Sequence, residues 1–177
     1  MIEPVSSSEL REYLRLDDDE TVLLDSLIVS ARLMVEAQTG VRLISQVWSQ
    51  VIPYQPNGRI NLLHWPLLNL KGMSVLGDTI VRLDLDDFVV TKDTRPIQVF
   101  PKNNIWPRLR SSQYGISVDV LVGFGSHSSD VPEDLRQAVL ILAANWYESN
   151  EWNDQSAARA LPPRVLALMQ PYVLPRL

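Results

Sequence analysis

Residues 131–150, VPEDLRQAVLILAANWYESN, decide how the rest of the chain is read. Leu135, Ala138, Val139, Leu142, Ala143 and Trp146 recur at three- and four-residue spacing, so they fall on one side of an α-helix. A stripe that continuous has to be buried against another element. Asp130, with Glu133 three residues later, has the pattern of a capping box, and Pro132 lies in the first turn, where a missing N–H costs nothing. No residue in the stretch resembles a catalyst. Composition and spacing alone therefore describe a soluble α+β domain without evident chemistry.

Towards the N-terminus, Ser6 and Glu9 stand at capping-box distance and open a helix over about residues 6–16. The acidic run 17–20 can be read as a cation site, but acidic residues directly before an apolar-periodic segment more often cap a helix and complement its dipole. That helix is expected over about 20–39, with Leu23, Leu24, Leu27, Ile28, Ala31, Met34 and Val35 at helical spacing and Gly40 just past its end. After Gly40 the period changes to two. Residues 41–52 alternate as one long strand buried on parts of both faces, and Asn57-Gly58 is a hairpin cue with 59–63 as the returning strand. Further strands are expected at 67–76, 88–91, 97–100 and 115–123. Beyond residue 150 the chain turns polar, then forms a short helix at 163–170 and a tail, 171–177, that two prolines hold extended.

The fold class is thus α+β. A helical bundle is built from the N- and C-terminal segments, with an antiparallel β-sheet or small sandwich inserted at about 41–125, all within one domain spanning residues 1–177. Lys and Arg total 16 against 21 Asp and Glu, and this mildly acidic balance argues against general affinity for nucleic-acid phosphates. With no cysteine, neither a disulfide framework nor a thiolate metal site is possible, which suits a reducing cytoplasm. No signal peptide or membrane-length apolar run is present, so a soluble cytosolic protein is expected.

Candidate chemistry is thin. Ser126, His127 and Asp130 hold the residue types of a hydrolytic triad, but triads assemble from separate segments, and a solvated loop feeding a helix is the simpler reading. His64 lies in apolar surroundings and suits a partly buried ring better than a ligand. Asp84, Asp86 and Asp87 can hold a hard cation but lack the glycine and distal glutamate of an EF-hand; a charged turn between strands explains them. Gly123-Phe124-Gly125 lacks the rest of a phosphate loop. Trp106, Trp152 and Tyr172 fall in irregular segments, where each either folds back on its own domain or meets another chain.

Taken in order, these pieces resemble a known family. Pro4-Val5-Ser6 leading to Leu14-Arg15-Leu16-Asp17, the helix ending Glu36-Ala37-Gln38-Thr39-Gly40, and Trp48 in the first strand are similar to the N-terminal half of phage head–tail connector proteins. Val122-Gly123-Phe124-Gly125, the stretch 131–138, Trp146-Tyr147-Glu148, Leu161-Pro162 and Pro171-Tyr172 resemble that family's closing segment. The resemblance implies a structural adaptor, or head-completion, subunit of a long-tailed phage, a prophage or a gene transfer agent. It implies no enzymatic activity and no cofactor. The expected partners are further copies of the chain in a ring, commonly of twelve, the portal protein, and a stopper or tail-completion protein. The resemblance also implies that DNA passes through the channel without sequence-specific binding and that no membrane is involved. The expected location is the host cytoplasm during assembly and then the particle neck. Partner contacts are expected in the irregular segments, at Trp106, Arg108 and Arg110 and in the tail at Tyr172, Leu174, Arg176 and Leu177. The alternative is a small hydrolase or metal-dependent enzyme using His127 or the 84–87 cluster.

Overall fold

The computed structural model describes residues 2–17, 21–53, 58–92, 94–106, 114–149 and 161–173. The chain is α+β and divides into two compact units, a helical one from Met1–Ile44 with Phe124–Leu177 and a β one from Ser45–Gly123.

In the helical unit, α1 (Ser7–Leu14) opens with the expected capping box: the Ser6 hydroxyl accepts the Glu9 N–H and the Glu9 carboxylate accepts the Ser6 N–H. Arg15, at φ 55°, ends it in the left-handed region. The long helix α2 (Thr21–Thr39) stops where Gly40 adopts φ +68°, with its N–H on the Glu36 carbonyl. Helix α3 (Glu133–Ser149) packs against α2, α1 and the short α4 (Pro163–Met169). The core is the apolar stripe of each: Leu24, Ile28, Ala31 and Val35 from α2, Leu135, Val139 and Leu142 from α3, and Val165 and Met169 from α4.

Two local expectations fail here. Helix α3 begins at Glu133, and Asp130 does not cap it; its carboxylate accepts the His127 N–H and closes a 3-10 turn, Ser128–Asp130. Glu133 is instead engaged by Arg136 and Gln137. After α4, a 3-10 turn (Gln170–Tyr172) holds Pro171, whose fixed φ suits such a turn, so the expected extended run does not start there; Val173 is extended, and 174–177 lie outside the described residues.

The β unit is a small sandwich. Strands β1 (Gln46–Pro53), β7 (Gly115–Val122), β3 (Leu67–Leu76) and β4 (Val81–Arg82) form one antiparallel sheet in the order β1-β7-β3-β4. Strands β2 (Ile60–Leu62), β6 (Ile97–Pro101) and β5 (Phe88–Thr91) form the other, in the order β2-β6-β5. The inward rows of both sheets, among them Met73, Val118, Val120, Ile97 and Val99, make a single core.

The first strand is shorter than its alternation predicts. Val41, Leu43 and Ile44 are buried in the helical unit, where the Leu43 N–H donates to Glu36 and Ile44 bridges to Gly125, so the ladder starts only at Gln46. Nor is β1 covered on both faces; it is an edge strand, and Val47 and Val51 lie open. It also makes no hairpin with the returning strand. All eight of its residues pair with β7, while β2 pairs with β6, because Ile60 and Leu62 fill the second sheet's inner face. Gln50 ties the two edges: its side-chain amide oxygen accepts the Leu63 N–H and its amide nitrogen donates to the Asn61 carbonyl.

Candidate functional site

Trp106 is 5 % exposed. Its ring lies 5.5 Å from that of Phe88, and its indole N–H donates to the Gly58 carbonyl at 2.7 Å. The side chain therefore closes one end of the sandwich, and shallow cavities flank it on both sides. One, of about 200 Å³, is lined by Ile52, Arg59, Ile60 and Ile116; the other, of about 360 Å³, by Leu83, Asp84, Asp87, Phe88 and Ile105. Neither gathers a set of groups able to activate a nucleophile.

Tyr172 is half-buried, and its O–H donates to Asp134 on α3 at 2.9 Å. Burial, then this bond and the carboxylate's charge, push the phenol up to about 12. A tyrosine held in that way anchors the last turn to α3. Arg108, Arg110, Trp152, Leu174, Arg176 and Leu177 lie outside the described residues, so Trp106 and Tyr172 are the members of the expected contact set that can be placed.

The candidate catalytic residues are engaged in local structure. His127 is solvent-facing, with Nδ1 at 3.1 Å from the Ser126 hydroxyl, while Asp130 is committed to the His127 backbone N–H. Ser126, His127 and Asp130 sit within one turn, and the His127 side chain is open to water. Asp84 caps the 3-10 turn Leu85–Asp87 by accepting the Asp86 N–H, as a charged turn between strands should. Among the described residues no group of three or more His, Cys, Asp and Glu is placed to hold a metal ion. His64 meets Trp48 edge-on, the ring centroids 4.3 Å apart. Of the acidic run, only Asp17 is described, and it is exposed. Among the described residues, no helix is long and apolar enough to cross a membrane.

What the structure adds is a helix, α2, that buries two charged residues beside its apolar core stripe and leaves apolar residues outside. Arg32 and Glu36 of α2 face inward: Glu36 is 2 % exposed, with Oε1 accepting the Leu43 N–H at 3.0 Å and Oε2 accepting Arg42 at 2.7 Å and lying 3.4 Å from Arg32. Arg32 in turn binds Glu3 at 2.6 Å. Outward, α2 presents Val22, Ser26, Ser30, Leu33 and Ala37, with Asp25 its one exposed charge. The signal for this was present in the sequence, since Val22, Val29 and Leu33 widen the apolar stripe past what one core face needs.

No protein-family model matches the chain, and no curated protein does. Solved structures do. A chain in the neck of the empty gene transfer agent (GTA) particle, computed with C6 symmetry, has a TM-score of 0.83 at 23 % identity, the match covering 98 % of this chain and 91 % of that one. A chain of the virion of the native gene transfer agent particle gives 0.83 at 22 % identity, covering 100 % and 94 %. A third, in the neck of the native particle computed with C12 symmetry, gives 0.75 at 23 % identity, covering 96 % and 88 %. The fold is therefore the fold of these chains over nearly its whole length.

Proposed function

We propose that this chain is an adaptor subunit in the neck of a phage-like particle. Copies close into a ring, twelve in number, seated between the portal and the stopper or tail, with the DNA channel at the centre. The observation that carries this reading is the near end-to-end likeness to chains of gene transfer agent particles, two of them from neck reconstructions, at a TM-score of 0.83 for the first. Sixfold and twelvefold symmetry describe those necks, and a cyclic arrangement of one chain requires heterologous contacts, one patch of each subunit meeting a different patch of the next. The order of motifs from Pro4 to Tyr172 supports the same reading from the sequence.

Such a part works by shape, and the proposal gives it no catalytic step and no cofactor. The test is assembly. The purified chain, at rising concentration and mixed with the portal of the same particle, is examined by native mass spectrometry and negative-stain imaging. Rings seated on portals are expected. A chain that stays monomeric at every concentration and ignores the portal overturns the proposal.

A further inference from the structure

Two surfaces of this chain carry fewer charges and more exposed apolar side chains than a water-facing surface normally does. The first is the outward side of α2. Val22 is 86 % and Leu33 51 % exposed, and the serines between them do not offer their hydroxyls outward: Ser26 donates to the Leu23 carbonyl and Ser30 to the Ser26 carbonyl. A solvated helix face ordinarily bears charged residues. The second is the outer face of the sheet β1-β7-β3-β4. The register aligns Val47, Leu121 and Asn69 in one cross-strand row, Ser49, Asp119 and Gly72 in the next, and Val51, Ser117, Ser74 and Arg82 in a third. Val47 is 63 % and Val51 59 % exposed, and the Ser49 hydroxyl is turned onto Asp119 at 2.6 Å. This face is β-branched and small at Val47, Val51, Ser117 and Ser74; its charges are Asp119 in the middle row, held by Ser49, the exposed Lys71 at the β3 bulge beside Gly72, and Arg82 at the far edge.

From these two surfaces we infer that the outward side of α2 in one copy packs on the outer face of the β1-β7-β3 sheet in the next. The inference rests on the ring reading above and names the surfaces that make the ring. Charge decides between this pairing and its rivals. Residues 45–123 carry eight Lys and Arg against six Asp and Glu, whereas the remainder of the chain carries eight against fifteen. Helix against helix brings together two strongly acidic units, which repel, and sheet against sheet brings together two mildly basic ones. Only the helix-to-sheet contact joins opposite signs. It is also heterologous, so repetition propagates it instead of stopping at a dimer. Asp25 on the helix and Arg82 on the sheet supply one complementary pair at the rim.

The chain has no cysteine, so introduced thiols report without background. Four single variants, Leu33→Cys and Ala37→Cys on the helix and Val47→Cys and Val51→Cys on the sheet, are treated with a short bis-maleimide under the conditions in which the wild type forms rings. Mixing a helix variant with a sheet variant should give cross-linked dimers, and each variant alone should give none. A Leu33→Cys/Val51→Cys double variant should give a ladder extending to the closed ring. A second measurement uses Leu33→Glu and Val51→Glu, whose exposed positions leave folding intact. Each alone should lose the ring, and an equimolar mixture should recover one-to-one dimers and nothing larger. Rings in the wild type with cross-links only between like positions, or with none in any mixture, overturn this inference while leaving the ring reading standing. A wild type that forms no ring overturns both.

Discussion

Replacing Glu36 tests the arrangement that lets α2 face outward with apolar residues. Its carboxylate holds Arg42 and the Leu43 N–H and approaches Arg32, all within a site where the Arg32 and Arg42 side chains are 8 % and 17 % exposed. Glu36→Ala leaves two largely buried guanidinium groups short of an anion and orphans a buried N–H. Removing one partner of a buried pair costs about 3–5 kcal/mol. Arg32 keeps Glu3, and Arg42 is close enough to water to regain some hydration, which places the expected loss near the lower bound, about 3 kcal/mol. For a chain of this length that is a fall in Tm of roughly 6–12 °C. Glu36→Gln keeps an acceptor for the Leu43 N–H but not the charge, and should cost roughly half as much. Urea unfolding followed by far-UV circular dichroism measures both. Because the site is buried, about 1 M salt should leave the difference unchanged. A loss under about 1 kcal/mol for Glu36→Ala, or one erased by salt, refutes the reasoning.

Trp106→Ala should destabilise the β unit by about 3–5 kcal/mol, and Trp106→Phe by less, since a smaller aromatic ring still fills part of the site although the bond to Gly58 and the rest of the indole are lost; near-wild-type unfolding of the alanine variant would show that the indole does not support the core. Tyr172→Phe should cost about 1 kcal/mol through the bond to Asp134. The phenol is raised from 10.0 to about 12, so the protonated form is favoured in the fold, and this contribution is complete below pH 10 and disappears as pH rises towards 12; ultraviolet titration of wild type against Tyr172→Phe should show one tyrosine ionising late. Burial raises the Glu9 carboxyl, but the bonds from Ser6 and the Arg136 guanidinium outweigh it and hold the group below its usual 4.5. A depressed acid stabilises above its unfolded pKa and ceases to do so as pH falls through its folded value. The stability difference between wild type and Glu9→Gln should therefore shrink on acidification below about pH 4.5, and a difference that grows there contradicts the assignment.

Local rules made much of this fold legible, and they failed where a distant partner decides. The Ser6–Glu9 box, Gly40 at φ +68° and the turn at Asp84 depend on residues within four of one another, and all three form as read. Asp130 and Glu133 had the same spacing and did not form a box, because the His127 N–H is a nearer partner for that carboxylate. Asn57-Gly58 promised a hairpin, yet eight-residue pairing with β7 and the apolar face of β2 sent the two strands to different sheets. No turn preference competes with a ladder of that length and the core beneath it. For Trp106 the sequence left open whether the ring folds back on its own domain or meets another chain, because its neighbours lack periodicity and its partners, Phe88 and Gly58, are 18 and 48 residues away.

The same separation explains why the candidate surface was only half visible. The wide apolar stripe of α2 can be counted along the sequence, but which side is turned outward depends on Glu3, Arg42 and Leu43 drawing Arg32 and Glu36 inward. An ion pair buried in this way gives little net stability against apolar replacement and is better understood as fixing orientation. Our hypothesis is that here it helps the buried stripe Leu24, Ile28, Ala31 and Val35 select one rotation of the helix about its axis, the one in which Val22 and Leu33 face out. If that is its role, replacing Arg32, Glu36 and Arg42 together with Met, Leu and Met should leave overall stability close to wild type while allowing α2 to rotate. Ring formation should then fail in a protein that still unfolds cooperatively. A triple variant that both folds and assembles normally would show that the buried charges do not set the face that meets the next subunit.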